Sequence, residues 1–456
     1  MTKAMRRLAA HDDQTHRSTT SDGIDIGAVV AEIGAHAAKL GFAGEDQPRA
    51  YFPSHTGYLS PDDSAMDTVP PAKNNKHTPR KEYKFDLGHN DERLEVHNPL
   101  SGGLINDWDM VEQIWQHANK TALSVDFAHT PLLLIERAFA PPKLRHEYVE
   151  LMFEKFQSPA LFMAKDSVLS CFACGKTTGL VVDIGAETST VAPVQDGWLE
   201  AKGLVRSRLG GRMVDRYLLS LLEKNGVVVQ PFLRQPPAVG GSRKGGGGEG
   251  MSASFREYAT LEVVRGLKES VCRMPEVAFS LTDPKFSAAP KVNYELPDGV
   301  MVAAGIERFR AAEIYMCPEP AWECLPGAEG EEGGEEGGKE EEWSREALPK
   351  MVADAVLKCE RDQLSPLLNS IVLAGGGACV EGTMERLKSE VETAIYGEGQ
   401  GGYGRVKVIQ AGAQERKICA WLGGSIVASL GSFHEMWVSK AEYAERGAGV
   451  IDAKCP

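Results

Sequence analysis

The stretch Leu180–Val191, L-V-V-D-I-G-A-E-T-S-T-V, constrains this chain more than any other. An apolar run delivers one carboxylate, Asp183, then Gly185 and Ala186, then β-formers from Thr188 to Val191. The pattern predicts two strands joined by a tight glycine turn, with the carboxylate at the lip. Without a Cβ, Gly185 lets an anion approach backbone N–H groups. The device occurs twice. Val29–Lys39 reads V-V-A-E-I-G-A-H-A-A-K, with Glu32 as the acid and Gly34 in the turn. Two such turns facing each other would clamp a polyphosphate.

Composition narrows the class. The 456 residues suffice for two large domains, and 42% hydrophobic with 25% charged residues is ordinary for a globular protein. No apolar run approaches the ~20 residues that span a bilayer, so no membrane role is expected. A formal charge of −14 argues against direct sequence-specific DNA binding. Nine cysteines suit a reducing compartment. Cys171 and Cys174 form a C-x-x-C without the second pair that zinc would want, and read as packing residues. Residues 1–23, polar with Arg6, Arg7 and Arg17, read as a disordered arm.

Along the chain, strand and helix patterns alternate, which predicts α/β layers. Phe52 to Thr78 is polar and proline-broken and reads mostly as a mobile loop, and 58–80 is taken as a loop insert. Asn106 or Asp107 caps a helix, Leu132–Glu136 is a buried strand, and Val168–Ala173 is a helix feeding the second hairpin. Val214, Tyr217, Leu218, Leu221 and Leu222 mark a core-facing helix, and Leu261–Met274 is another. Pro297-Asp298-Gly299 turns a hairpin. Ala347–Leu364 reads as one amphipathic helix. Ile371–Ala374 is a buried strand running into Gly375-Gly376-Gly377, with a helix from Thr383 to Ile395, a third place where a nucleotide could meet backbone. Gly423 and Gly424 inside a helical run imply close helix packing. Residues 238–252 and the Glu-rich 327–342 read as flexible inserts, the latter either a tail for basic partners such as histones or a solvated insert.

Acid turn, acid turn, then a glycine run before a helix resembles the actin, hexokinase and Hsp70-like ATPase superfamily. Local strings narrow the resemblance to the actin family: Gly41–Asp46, Asn106-Asp107-Trp108, Lys176-Thr177-Thr178-Gly179, Tyr294–Gly299, and Trp421–Ile426 followed by Met436–Lys440. It covers Ile24–Gly57 and Lys84–Pro456 outside the inserts. It implies an α/β fold of the actin-like ATPase type, two related α/β domains (four subdomains) around a nucleotide cleft. The expected halves are 24–185 and 186–415, with 416–456 returning to the first. Glu147–Phe162 and the ending Lys454-Cys455-Pro456 resemble the nuclear actin-related class. That likeness implies a nuclear subunit of chromatin remodellers and histone acetyltransferase complexes. Its implied partners are actin, a scaffold helix of the remodeller ATPase subunit, and histones or the nucleosome.

The resemblance also implies roles for residues. Glu32, Gly34 and Lys39 match the first phosphate loop, and Asp183 and Gly185 the second. Glu32 and Asp183 would hold Mg²⁺ through water, beside ATP. Lys268 and Glu269 match base and ribose contacts; Gly375, Gly376 and Lys417 match the adenosine side. From the residues alone, Lys268, Glu269 and Lys417 read rather as an ordinary solvated helix face.

The departures from the family carry the functional expectation. The water-orienting glutamine falls at Asp166 and its nearby histidine at Thr190. Ala35 and His36 replace a serine and a glycine; His36 could donate to a phosphate or fill a loosened cleft. Ala374, Cys379 and Val380 weaken the grip on a base. The expected protein is a non-filamentous assembly subunit that binds ATP with little or no hydrolysis and has no catalytic residues. Met436 and Trp437 could line its groove for a scaffold helix; core packing is the alternative, and the preferred one for Trp437. The alternatives are a polymerising or filament-capping cytoskeletal ATPase, or a small-molecule kinase in which Asp166 serves as base.

Overall fold

Each acid-bearing segment opens its own sheet in the computed structural model, which describes residues 27–59, 82–87, 94–232, 251–324, 343–397 and 405–455. The first sheet contains β1 (Val29–Ile33), β2 (Ala37–Phe42), β3 (Ala50–Pro53), β4 (Leu132–Glu136) and β5 (Ala160–Lys165). The second contains β6 (Gly179–Ile184), β7 (Ser189–Gln195), β8 (Trp198–Leu199), β9 (Val205–Ser207), β10 (Ile371–Ala374) and β11 (Val408–Gln410). A short strand near the C-terminus, β12 (Val438–Ser439), adds to the edge of the first sheet.

The two sheets share one plan. The orders are β12-β5-β4-β1-β2-β3 and β8-β7-β6-β10-β11, with β9 also on β7. In each, antiparallel neighbours follow the acid-bearing strand on one side, β2 and β3 or β7 and β8. Two later strands join its other side in parallel, β4 and β5 or β10 and β11. The central parallel strands are buried along their length, which is why Leu132–Glu136 and Ile371–Ala374 read as unbroken apolar runs. This doubling is the actin-like α/β architecture the resemblance implies.

Helices α1 (Asp166–Ala173), α2 (Gly211–Lys224), α3 (Ala253–Val271), α4 (Thr383–Tyr396) and α5 (Cys419–Ala428) cover the sheets. Asp107, rather than Asn106, caps the helix Trp108–Ala118, accepting from the Met110 N–H. Helices α1 and α5 cross tightly: a Cβ on Gly423 would lie 1.9 Å from the Leu169 carbonyl oxygen. The buried Trp421 donates its indole N–H to the Val30 carbonyl at 3.1 Å, tying the C-terminal segment to β1.

Several expectations change. Among the described residues, strand β6 pairs with β7 and β10, so Gly179–Ile184 lies in the second sheet. Phe52, Tyr58 and Leu59 lie on strands rather than in a loop, since Phe52 meets Phe85 edge-on and Tyr58 stacks on His97. Met251 and Ser252 leave the predicted insert: Met251 is buried and Ser252 caps α3. The predicted helix Ala347–Leu364 is two pieces, Leu348–Leu357 and Leu364–Leu368, because the charged run Glu360-Arg361-Asp362 has no core face. Of the two readings of Trp437, core packing holds: it lies beside Phe433, while Met436 stays exposed. The arm 1–23, residues 60–80, Gly240–Gly250 and the Glu-rich 327–342 lie outside the described residues. Among the described residues no helix is long and apolar enough to cross a membrane.

Candidate functional site

The two hairpin turns close alike. Gly34 N–H donates to the Ala37 carbonyl at 3.1 Å, and Gly185 N–H to the Thr188 carbonyl at 2.9 Å. Each glycine N–H is therefore spent on its own turn. Gly375 has a φ of +88°, and a Cβ there would lie 2.4 Å from Asp183 Oδ1, so only glycine lets this turn pass the acid. These turns border one cleft of about 620 Å³. All ten residues expected at a nucleotide site line it: Glu32, Gly34, Lys39, Asp183, Gly185, Lys268, Glu269, Gly375, Gly376 and Lys417. Ala374, Cys379 and Val380 line it too.

The charged members are already partnered. Lys39 Nζ lies 2.7 Å from Glu32 Oε1, its register partner across the hairpin. Lys268, expected to face a base, is buried against Asp215 at 2.7 Å and donates to the Gly211 carbonyl. Lys417 faces Glu269 at 3.4 Å. Buried atoms of the cleft that make no hydrogen bond include Glu32 Oε2, Arg137 Nε and Asp166 Oδ2.

The departures have definite environments. Asp166 is buried at the start of α1, where Oδ1 accepts the N–H groups of Ala138 and Ser167 at 3.0 and 2.7 Å. Burial lifts its carboxyl to about 6, with Arg137 pulling the other way. Thr190 sits opposite Asp183 in the hairpin, is 1% exposed, and does not line the cleft. Arg265 Nη1 lies 3.1 Å from both ring nitrogens of His36. Burial, reinforced by Arg265, Arg212, Lys39 and Lys268, lowers the ring's pKa to about 3. A neutral His36 ring offers one N–H donor and no charge.

Two arginines were not expected. Arg137 follows β4 and reaches 3.0 Å from Asp183 Oδ2 and 3.0 Å from Asp166 Oδ2, while donating to Thr188 Oγ1 at 3.1 Å. Its sequence signal was a charged pair, Glu136-Arg137, ending a buried strand. Arg212, from α2, crosses the cleft to the Ala35 carbonyl at 3.2 Å and to His55 Nε2 at 3.0 Å. Its Nη1 is held by Glu187 at 2.5 Å.

The cleft has room for a nucleoside polyphosphate, with Lys39, Arg137, Arg212 and Arg265 in its lining beside carboxylates that include Glu32, Asp183 and Glu187. A hydrated Mg²⁺ fits poorly, because the hairpin acids each face a protein cation. Among the described residues no cluster of three or more His, Cys, Asp or Glu is arranged to hold a metal.

The doubled sheets and the shared cleft define an actin-fold protein, and the model of the Actin family matches residues 23–456. The chain belongs to the actin family. It is similar to actin-related protein 4 of Arabidopsis thaliana, 36% identical over 457 positions that cover 95% of this chain and 99% of that one. The corresponding figures for actin-related protein 4 of Oryza sativa subsp. japonica are 35% over 461 positions, 95% and 99%. Actin-related protein 4 of Yarrowia lipolytica is 29% identical over 452 positions, covering 95% and 96%. The likeness is therefore of the actin-related protein 4 type.

Proposed function

We propose that this chain is a nuclear, non-filamentous actin-related protein that serves as an assembly subunit of chromatin-remodelling and histone acetyltransferase complexes. In this reading it holds ATP with little or no hydrolysis. The observation that carries it is the commitment of Asp166. One carboxylate oxygen is taken by two backbone N–H groups and the other faces Arg137. Oδ1 is spent on backbone, and Oδ2, which accepts no hydrogen bond, lies against the Arg137 guanidinium. A carboxylate held this way is poorly set to orient a lytic water, and loss of such a group costs ~10²–10⁴ in rate. The kinase alternative needs the same carboxylate as a free base, and its pairing with Arg137 weighs against that role.

Actin and a scaffold helix of a remodeller ATPase subunit are the partners that fit this reading, with an amphipathic helix docking near Met436. Histones or the nucleosome are further partners of the assembled complex. The test is affinity purification with mass spectrometry, alongside release of labelled phosphate from ATP. Actin and a remodeller ATPase are expected in the purified material, with phosphate release at background. A pulldown of cytoskeletal proteins alone, or sustained turnover, overturns the reading.

A further inference from the structure

We propose that Arg137 stands in for the divalent cation, so that this cleft binds a nucleoside polyphosphate without Mg²⁺. The inference rests on the reading of the cleft as an ATP site. Among the cleft cations, Arg137 is the one placed between carboxylates from both halves. Its Nη1 donates to Asp183 Oδ2 at 3.0 Å and lies equally close to Asp166 Oδ2. Its Nη2 donates to Thr188 Oγ1 in the second turn. The guanidinium lies 5.5 Å from the centre of the Phe139 ring, which supports it from the side.

Bound Mg²⁺ prefers a near-octahedral shell of oxygens and keeps most of its waters. A guanidinium offers five N–H donors and no acceptor. It can neither ligate the ion nor accept from its water shell, and its charge repels the ion. The first hairpin repeats the arrangement, with Lys39 on Glu32 at 2.7 Å. A phosphate oxygen entering the same space meets the opposite electrostatics, since arginine matches phosphate with paired, charge-assisted hydrogen bonds. Arg137 is partly open to the cleft, with its side chain 20% exposed. It can therefore reach a ligand without leaving its acids.

The experiment is equilibrium binding of labelled ATP to the full chain, in millimolar Mg²⁺ and in excess EDTA. The expected result is a dissociation constant that changes less than threefold between the two. Arg137→Ala is expected to bind at least tenfold more weakly in EDTA and to recover with Mg²⁺. Arg137→Lys, which keeps the charge, is expected to stay metal-independent. A threefold or greater loss of affinity for the unmodified chain in EDTA overturns the inference while leaving the ATP reading intact. No binding in either buffer overturns the ATP reading and this inference with it. The decisive comparison uses the unmodified protein, so it stands even if a variant fails to fold.

Discussion

Ionising Asp166 in the fold means charging a carboxylate that is largely removed from water, and Arg137 offsets only part of that cost. Its pKa is therefore raised, from the ordinary 3.8 to about 6. A carboxyl raised in the folded state contributes stability that is complete below its unfolded pKa and is lost as pH rises through the folded value. Two units correspond to roughly 3 kcal/mol. Asp166→Asn cannot ionise. Its stability relative to the parent is expected to improve by up to ~3 kcal/mol between pH 4 and pH 7. Urea midpoints of both proteins across that range measure the difference, and a flat gap would contradict the assignment. The asparagine's constant penalty beside Arg137 shifts all points equally and does not affect the slope.

Two helices that touch backbone to backbone tolerate no added atom. With a Cβ on Gly423 placed 1.9 Å from the Leu169 carbonyl, Gly423→Ala must push α5 off α1. Overpacking of this kind costs ~1–3 kcal/mol, and backbone gives less readily than a side chain. The expected outcome is a loss of at least ~2 kcal/mol in denaturant unfolding. Gly449, whose Cβ would meet nothing within 4 Å, is the control. Its alanine variant is expected to change stability by no more than ~0.5 kcal/mol. The G-G pair in the sequence announced close packing; its partner, Leu169, lies hundreds of positions earlier and could be named only once the helices met.

Across the whole molecule, the cleft is bridged by its own side chains. Arg212 belongs to the second half yet donates to the Ala35 carbonyl in the first hairpin turn, and Glu187 steadies it while accepting from the Gly103 N–H. A charged hydrogen bond in such a place is worth ~1.5–3 kcal/mol. Arg212→Ala is expected to speed amide exchange in the 34–37 and 185–188 turns by tenfold or more, while strands β4 and β10 keep their protection. Uniform exchange changes over the chain would mean that the contact stabilises the fold generally rather than closing the cleft.

The sequence by itself determined the two acid-bearing hairpins, the buried parallel strands and the glycine run. These depend on local periodicity and on residues whose backbone limits are intrinsic, and Asp183, Gly185 and Gly375 could be placed on them directly. Tertiary structure alone decided what the charges do. Arg137 is 46 positions from Asp183, and Arg212 is 177 from Ala35. No spacing rule links such pairs, because an ion pair depends on distance in space and on exclusion of water, and both exist only after the two sheets have folded around the cleft.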